Sequence, residues 1–116
     1  MKNLAFYFFL LLISISYAQE NQSSFVYNYI SSKNGLSNNY VSKVVSDSLN
    51  VKWIATENGI AKYDGLNFYT IRPGDEYPGL KNENIETLFI DSKNNLWIGT
   101  KSGGLSLLDI KTNKLS

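Results

Sequence analysis

Apolar residues are distributed along this chain in two different ways. From Leu4 to Ile15 they form an almost unbroken run behind Lys2, and Ser16, Tyr17 and Ala18 follow. A positive start, an apolar segment and small residues at Ser16 and Ala18 predict a secretory signal peptide over residues 1–18, cleaved after Ala18. A transmembrane anchor is the competing reading, but the run falls short of the ~20 residues needed to cross a bilayer. Further along, the apolar residues come in short strand-forming runs: Val41 to Ser46, Val51 to Thr56, Ile60 to Tyr63 and Phe68 to Ile71. The breaks between them are Asp47 to Asn50, the turn Glu57-Asn58-Gly59, and Asp64-Gly65, a favoured two-residue hairpin signal. Four such runs in succession predict an antiparallel meander.

The pattern is then written again. The stretch VKWIATENGI at residues 51–60 is echoed by NLWIGTKSGG at residues 95–104, 44 positions later. At that offset Gly35, Leu36, Asn38, Asp47, Ser48, Asn50, Trp53, Ile54, Thr56 and Gly59 meet identical residues at 79, 80, 82, 91, 92, 94, 97, 98, 100 and 103. These are ten identities over the 25 positions from 35 to 59, more than chance produces. After Gly103 the second copy carries one extra glycine, so Ile60 corresponds to Leu105 and Asp64 to Asp109. A lone meander of ~40 residues buries too little apolar surface to stand alone, and both faces of these strands carry large apolar residues. Each sheet therefore needs a neighbour on either side. Radial repetition of four-stranded sheets at this period predicts an all-β fold of β-propeller blades, forming a fragment of a larger propeller behind the signal peptide.

The expected organisation is a signal peptide over 1–18, an N-terminal strand within 19–34, a first repeat over 35–78 and a second, truncated repeat over 79–116. Phe25-Val26-Tyr27 aligns with Tyr69-Thr70-Ile71, the outermost strand of a blade, and is expected to complete the last blade of the ring. The repeated residues Asp47, Trp53, Gly59, Asp91, Trp97 and Gly103 read as structural. The indoles are expected to wedge between adjacent sheets, with Ala55 and Gly99 leaving room for close backbone approach. Gly59 and Gly103 are expected at turn positions of positive φ.

Composition narrows the chemistry. Eleven basic residues against ten acidic ones, with no block of like charge, give nothing to hold a phosphate backbone, so no nucleic-acid partner is expected for this segment. The absence of cysteine and histidine removes disulfides, thiolate nucleophiles, the commonest general base and the commonest metal ligand. An exported chain without cysteine also suggests a bacterial periplasm or exterior. No cofactor, metal or catalytic residue is expected. Asp75-Glu76 in the connection from Pro73 to Pro78 reads as a solvated turn rather than the spaced carboxylate pair of a glycosidase. The run from Asp91 to Asn95 reads as a hairpin turn, since Lys93 stands where a calcium loop needs an oxygen ligand. Asn21-Gln22-Ser23 has the glycosylation pattern, of little weight in a bacterial chain. Tyr27, Tyr29, Tyr40, Tyr63, Tyr69 and Tyr77 offer rings and hydroxyls suited to carbohydrate, against packing as the plainer role. Tyr40 with Asn38 and Asn39 precedes an innermost strand and supplies the ligand-binding candidates.

The residues G-L-S-N-N-x-V-x-x-V-x-x-D and W-I-x-T-x-N-G-I-x-x-Y-D-G, followed by Phe68, resemble the two-component regulator propeller repeat. The second copy, with N-L-W-I-G-T-K-S-G-G-L, is similar to it over Gly79 to Asp109. Ala55 departs where the family usually has glycine, and Leu108-Asp109 replaces its tyrosine-aspartate pair. The resemblance implies a sensor: a periplasmic propeller, commonly seven-bladed, then a β-sandwich, a membrane helix and a cytoplasmic module, usually a histidine kinase. It also implies an oligosaccharide ligand, an inner-membrane anchor in the parent, the remaining blades as partners and a receptor dimer. A secreted propeller enzyme, either lyase or glycosidase, and a protein-binding propeller remain alternatives.

Overall fold

The computed structural model describes residues 2–16, 24–74 and 76–116. The cleavage site after Ala18, Asn21-Gln22-Ser23 and Asp75 lie outside the described residues. The apolar leader forms a helix, α1 (Lys2–Ser16), with Asn3 to Leu11 exposed. No helix among the described residues is long and apolar enough to cross a membrane.

Two four-stranded antiparallel sheets follow. The first contains β1 (Val41–Ser46), β2 (Lys52–Thr56), β3 (Gly59–Tyr63) and β4 (Phe68–Ile71), paired in chain order. The second contains β5 (Ile85–Ile90), β6 (Asn95–Thr100), β7 (Leu105–Asp109) and β8 (Lys114–Leu115), again in chain order. Both are meanders, as propeller blades are. Residues 24–30 carry no regular structure; Phe25, Val26 and Tyr27 are exposed and pair with neither sheet.

The core lies between the sheets. Trp53, Ala55, Ile60 and Ile71 of the first blade pack with Leu80, Ile85, Leu88, Leu96, Ile98 and Leu108 of the second, all buried. On the far face of the first blade Leu36 covers Ile54 and Ala61, flanked by Tyr63 and Phe68. The alternation expected of a strand thus operates on both faces: Trp53 points to the neighbouring blade and Ile54 away from it.

The 44-residue repeat is carried by its turns. At β1–β2 the Asp47 carboxylate Oδ1 accepts from the backbone N–H groups of Leu49 at 2.9 Å and Val51 at 3.0 Å. At β5–β6 Asp91 Oδ1 accepts from Lys93 and Asn95, both at 2.9 Å. Asn50 and Asn94 close these turns with φ of 62° and 61°, a left-handed conformation that asparagine tolerates better than most residues. The backbone geometry thus explains why Asp, Ser and Asn recur together.

Two local expectations differ from the structure. Asp64-Gly65 is not a two-residue hairpin: Tyr63 pairs with Phe68, and Asp64 to Asn67 form a four-residue loop in which Asp64 Oδ1 accepts from Leu66 and Asn67 at 2.9 and 2.7 Å. Those two N–H groups hold its carboxyl below the usual carboxylate range, Asn67 contributing most. The positive φ expected at Gly103 belongs instead to Gly104, at 79°, the counterpart of Gly59 at 86°. Thr56 Oγ1 donates to the Gly59 carbonyl at 2.8 Å and Thr100 Oγ1 to the Gly104 carbonyl at 3.2 Å, so the extra residue enlarges the loop ahead of the left-handed position. A Cβ on Gly104 meets nothing within 4 Å, so Gly104→Ala is expected to cost ~1 kcal/mol from backbone strain alone. Gly104→Asn should recover part of that loss in chemical denaturation, and equal midpoints for all three proteins would contradict the assignment.

Candidate functional site

Where the packed blades come together at the start of their innermost strands, a cleft of about 340 Å³ opens. Its lining is Tyr40 and Ser42 at the head of β1, Glu57 in the β2–β3 turn, Asn84 to Glu86 at the head of β5, and Lys101 in the β6–β7 turn. Bonds to backbone carbonyls fix the floor: Ser42 Oγ donates to the Ile85 carbonyl at 2.6 Å, the Gly59 N–H to the Glu83 carbonyl at 2.6 Å, and the Lys101 N–H to the Asn84 carbonyl at 2.9 Å. Ser42 and Glu86 each sit at a register shift, between Val41 and Lys43 and between Ile85 and Thr87. Such bulges re-aim a side chain out of the regular ladder.

These lining residues are counterparts of one another. At the offset of 44, Tyr40 corresponds to Asn84, Ser42 to Glu86 and Glu57 to Lys101. These three positions differ between the copies, as do most positions outside the ten identities. Glu57, Glu86 and Lys101 are exposed, and their side chains make no hydrogen bond or ion pair among the described residues. Polar groups that the fold does not require, converging on one cleft, are what a recognition surface supplies.

The ligand-binding candidates divide. Tyr40 faces the cleft and is largely exposed. Asn38 Oδ1 accepts from the Tyr40 N–H at 2.7 Å, as Asn82 does from Asn84 at 2.9 Å, so this asparagine shapes the approach to the inner strand in both blades. Asn39 Oδ1 accepts from the Ser32 N–H at 2.7 Å and ties down the 3₁₀ turn Ser32–Asn34. Glu57, Glu86 and Lys101 were not marked by the sequence pattern, because side chains 29 residues apart come together only when the blades pack. No signal in the sequence singles them out, since the copies differ at most aligned positions.

The tryptophans lie elsewhere. The Trp53 Nε1–H donates to Asp47 Oδ2 at 3.0 Å, and the Trp97 Nε1–H to Asp91 Oδ2 at 3.0 Å. The Asp91 carboxyl is held below the usual carboxylate range by the Asn95 N–H first and the Trp97 indole second. Its oxygens therefore serve the turn and the indole. No cluster of metal-ligating side chains occurs among the described residues.

Residues 79–102 match the family described as "Two component regulator propeller". That match falls in the second blade and takes in β5 and β6. The first blade has the same strand order, turn bonds and aspartate–indole pair. The chain is similar to the crystal structure of the extracellular domain of a putative hybrid two-component system from B. thetaiotaomicron, at 27% identity and a TM-score of 0.68. That similarity covers 77% of this chain and 13% of the solved one, so the chain spans a small part of the protein it matches. No curated protein matches it.

Around the propeller blades the other tyrosines scatter. Tyr63 stacks on Phe68 at 4.4 Å between centroids and donates to the Gly65 carbonyl at 3.0 Å. Tyr69 and Tyr77 line a separate groove of about 530 Å³ together with Lys62, Glu76 and Asn113. Tyr27 and Tyr29 are exposed. Of the six tyrosines, Tyr40 alone joins the polar cleft.

Proposed function

We propose that this chain belongs to the exported input region of a membrane-spanning two-component receptor, and that the cleft between its two blades forms part of a non-catalytic binding surface for oligosaccharides. The single observation that carries the binding surface is the convergence of Tyr40, Ser42, Glu57, Asn84, Glu86 and Lys101 on one cleft, with the Glu57, Glu86 and Lys101 side chains exposed and unpaired among the described residues. An exposed phenol beside carboxylates, an amide and an ammonium suits a sugar, which offers a ring face for stacking and hydroxyls for hydrogen bonds. The propeller match and the extracellular domain of the hybrid system support an exported sensor region. Export by the leader, a periplasmic address, an inner-membrane anchor, a kinase output and a receptor dimer belong to this proposal. So do the remaining blades as partners, and closure of the ring by residues 25–27.

Glu57 and Glu86 reach one cleft, which raises the glycosidase alternative in a sharper form than Asp75-Glu76 does. A glycosidase desolvates one member of its pair and sets the two across a scissile bond. Both of these side chains stand in solvent, and the chain has no histidine or cysteine to share proton transfer or attack. Calorimetry of the parent's exported region with an oligosaccharide panel, alongside chromatography of the same mixtures, decides between the readings. Binding with intact sugar is expected, and Tyr40→Ala should weaken it roughly tenfold. Turnover lost in Glu57→Gln and Glu86→Gln would make the chain part of an enzyme.

A further inference from the structure

Both turns that bring charge to the cleft are held by one short segment, residues 82–84, on the approach to β5. From the first blade, the N–H of Gly59, at the end of the Glu57 turn, donates to the Glu83 carbonyl at 2.6 Å. From the second blade, the Lys101 N–H donates to the Asn84 carbonyl at 2.9 Å. The Asn82 side chain stands behind this segment, half-buried and outside the cleft lining, and uses both ends of its amide. Its Oδ1 accepts from the Asn84 N–H at 2.9 Å, and its Nδ2 donates to Ser102 Oγ, also at 2.9 Å. The β6–β7 turn lies close against it: a Cβ on Gly103 would stand 2.9 Å from the Lys81 Cβ and 3.0 Å from the Asn82 Cβ. The first blade lacks the second bond. Asn38 repeats the contact to the inner-strand approach, at the Tyr40 N–H, but its amide nitrogen makes no hydrogen bond among the described residues. Asn58, at the position of Ser102, instead accepts from Arg72 Nε at 3.0 Å.

We infer that Asn82 is a positioning residue for the cleft: by bonding to Asn84 and Ser102 at once, it fixes the Lys101 turn to the segment that also carries the Glu57 turn, so that a bound saccharide meets both blades at a set spacing. That a saccharide is the ligand rests on the function proposed above; the bracing itself does not. Lys101 stands in a loop one residue longer than its counterpart in the first blade, with the left-handed Gly104 behind it. The bond from Asn82 to Ser102 orders that loop before a ligand arrives, which lowers the entropy lost on binding. Chemistry separates the substitutions. A carboxylate at position 82 accepts from the Asn84 N–H and from the Ser102 hydroxyl, whose proton then turns toward it, so Asn82→Asp keeps both bonds. Ser102→Ala keeps the bond to Asn84 and loses only the brace. Asn82→Ala loses both.

Amide hydrogen exchange and calorimetry of the parent's exported region test this, with a panel of neutral, uronic-acid and amino-sugar hexasaccharides as the probe. In Ser102→Ala, exchange over residues 100–104 should quicken about fivefold, and affinity for the sugar that wild type binds should fall about fivefold, as expected for one lost hydrogen bond. Its melting temperature should hold, because Ser102 is exposed. Asn82→Ala should lose at least as much in both readouts, whereas Asn82→Asp should stay near wild type. A residue that served stability alone would shift the melt and leave exchange and affinity in step with it. Unchanged exchange in Ser102→Ala and Asn82→Ala would overturn the bracing, as would an aspartate variant that behaves like alanine. Faster exchange with undiminished affinity would overturn the link to the cleft. A wild type that binds none of the sugars would remove the saccharide reading, and exchange in the three variants would then decide the role of Asn82 by itself.

Discussion

Trp53→Ala is expected to destabilise the two-blade unit by about 3–5 kcal/mol, the range for deleting a large aromatic side chain from a packed core. Trp53 is 1% exposed and shares one cluster with Ile85 and Leu88 of the next blade, so truncation opens a void at the junction rather than at the surface. Lys62 Nζ lies 5.2 Å from its ring centroid, and that cation–π contact is lost as well. Trp97→Ala removes the same side chain from the same strand position, where the ring is only half-buried. Its cost should be clearly smaller in this chain. Urea unfolding of the two variants makes the comparison. With two tryptophans in the sequence, each variant keeps one indole as the fluorescent reporter. Equal losses would show that the interface is not what holds Trp53.

The blade was legible because its signals are local. Strand-forming runs and turn residues placed β1 and β4 to the residue and β2 and β3 within one residue, and the 44-residue identity marked the two sheets as equivalent. What the sequence hid depends on contacts between blades or on small changes of loop geometry. Ser42 and Glu86 sit at bulges that bring them to the cleft, and a bulge leaves no composition signal in a strand. The left-handed position moved from Gly103 to Gly104 because sequence alignment counts residues, whereas the Thr100 hydroxyl fixes which carbonyl closes the turn. Gly99 makes its close approach to a side chain on the neighbouring strand rather than to backbone: a Cβ at this position would stand 2.6 Å from the Thr87 methyl. Asn38 and Asn39, candidates because they precede the innermost strand, each accept one backbone N–H through Oδ1, a contact that depends on local loop geometry.

Asp47→Ala is expected to cost about 2–3 kcal/mol, because one buried carboxylate satisfies three donors at once and its removal leaves them unpaired. Those donors are the N–H groups of Leu49 and Val51, which close the β1–β2 turn, and the indole N–H of Trp53. Asp47 is 8% exposed, so water reaches the vacated site poorly. Asp47→Asn should fall between alanine and wild type: an amide oxygen can still accept from the turn, while the amide nitrogen then faces the indole N–H, donor against donor. Asp91→Ala breaks the equivalent bonds to Lys93, Asn95 and Trp97 but does so at a half-buried indole, where water can replace part of what is lost. The expected order of destabilisation is therefore Asp47→Ala, then Asp47→Asn, with Asp91→Ala milder than Asp47→Ala. Denaturation midpoints of the three variants test it. If Asp91→Ala proved as damaging as Asp47→Ala, the aspartate would be acting through its turn alone, and the link from turn to indole to blade junction would be wrong.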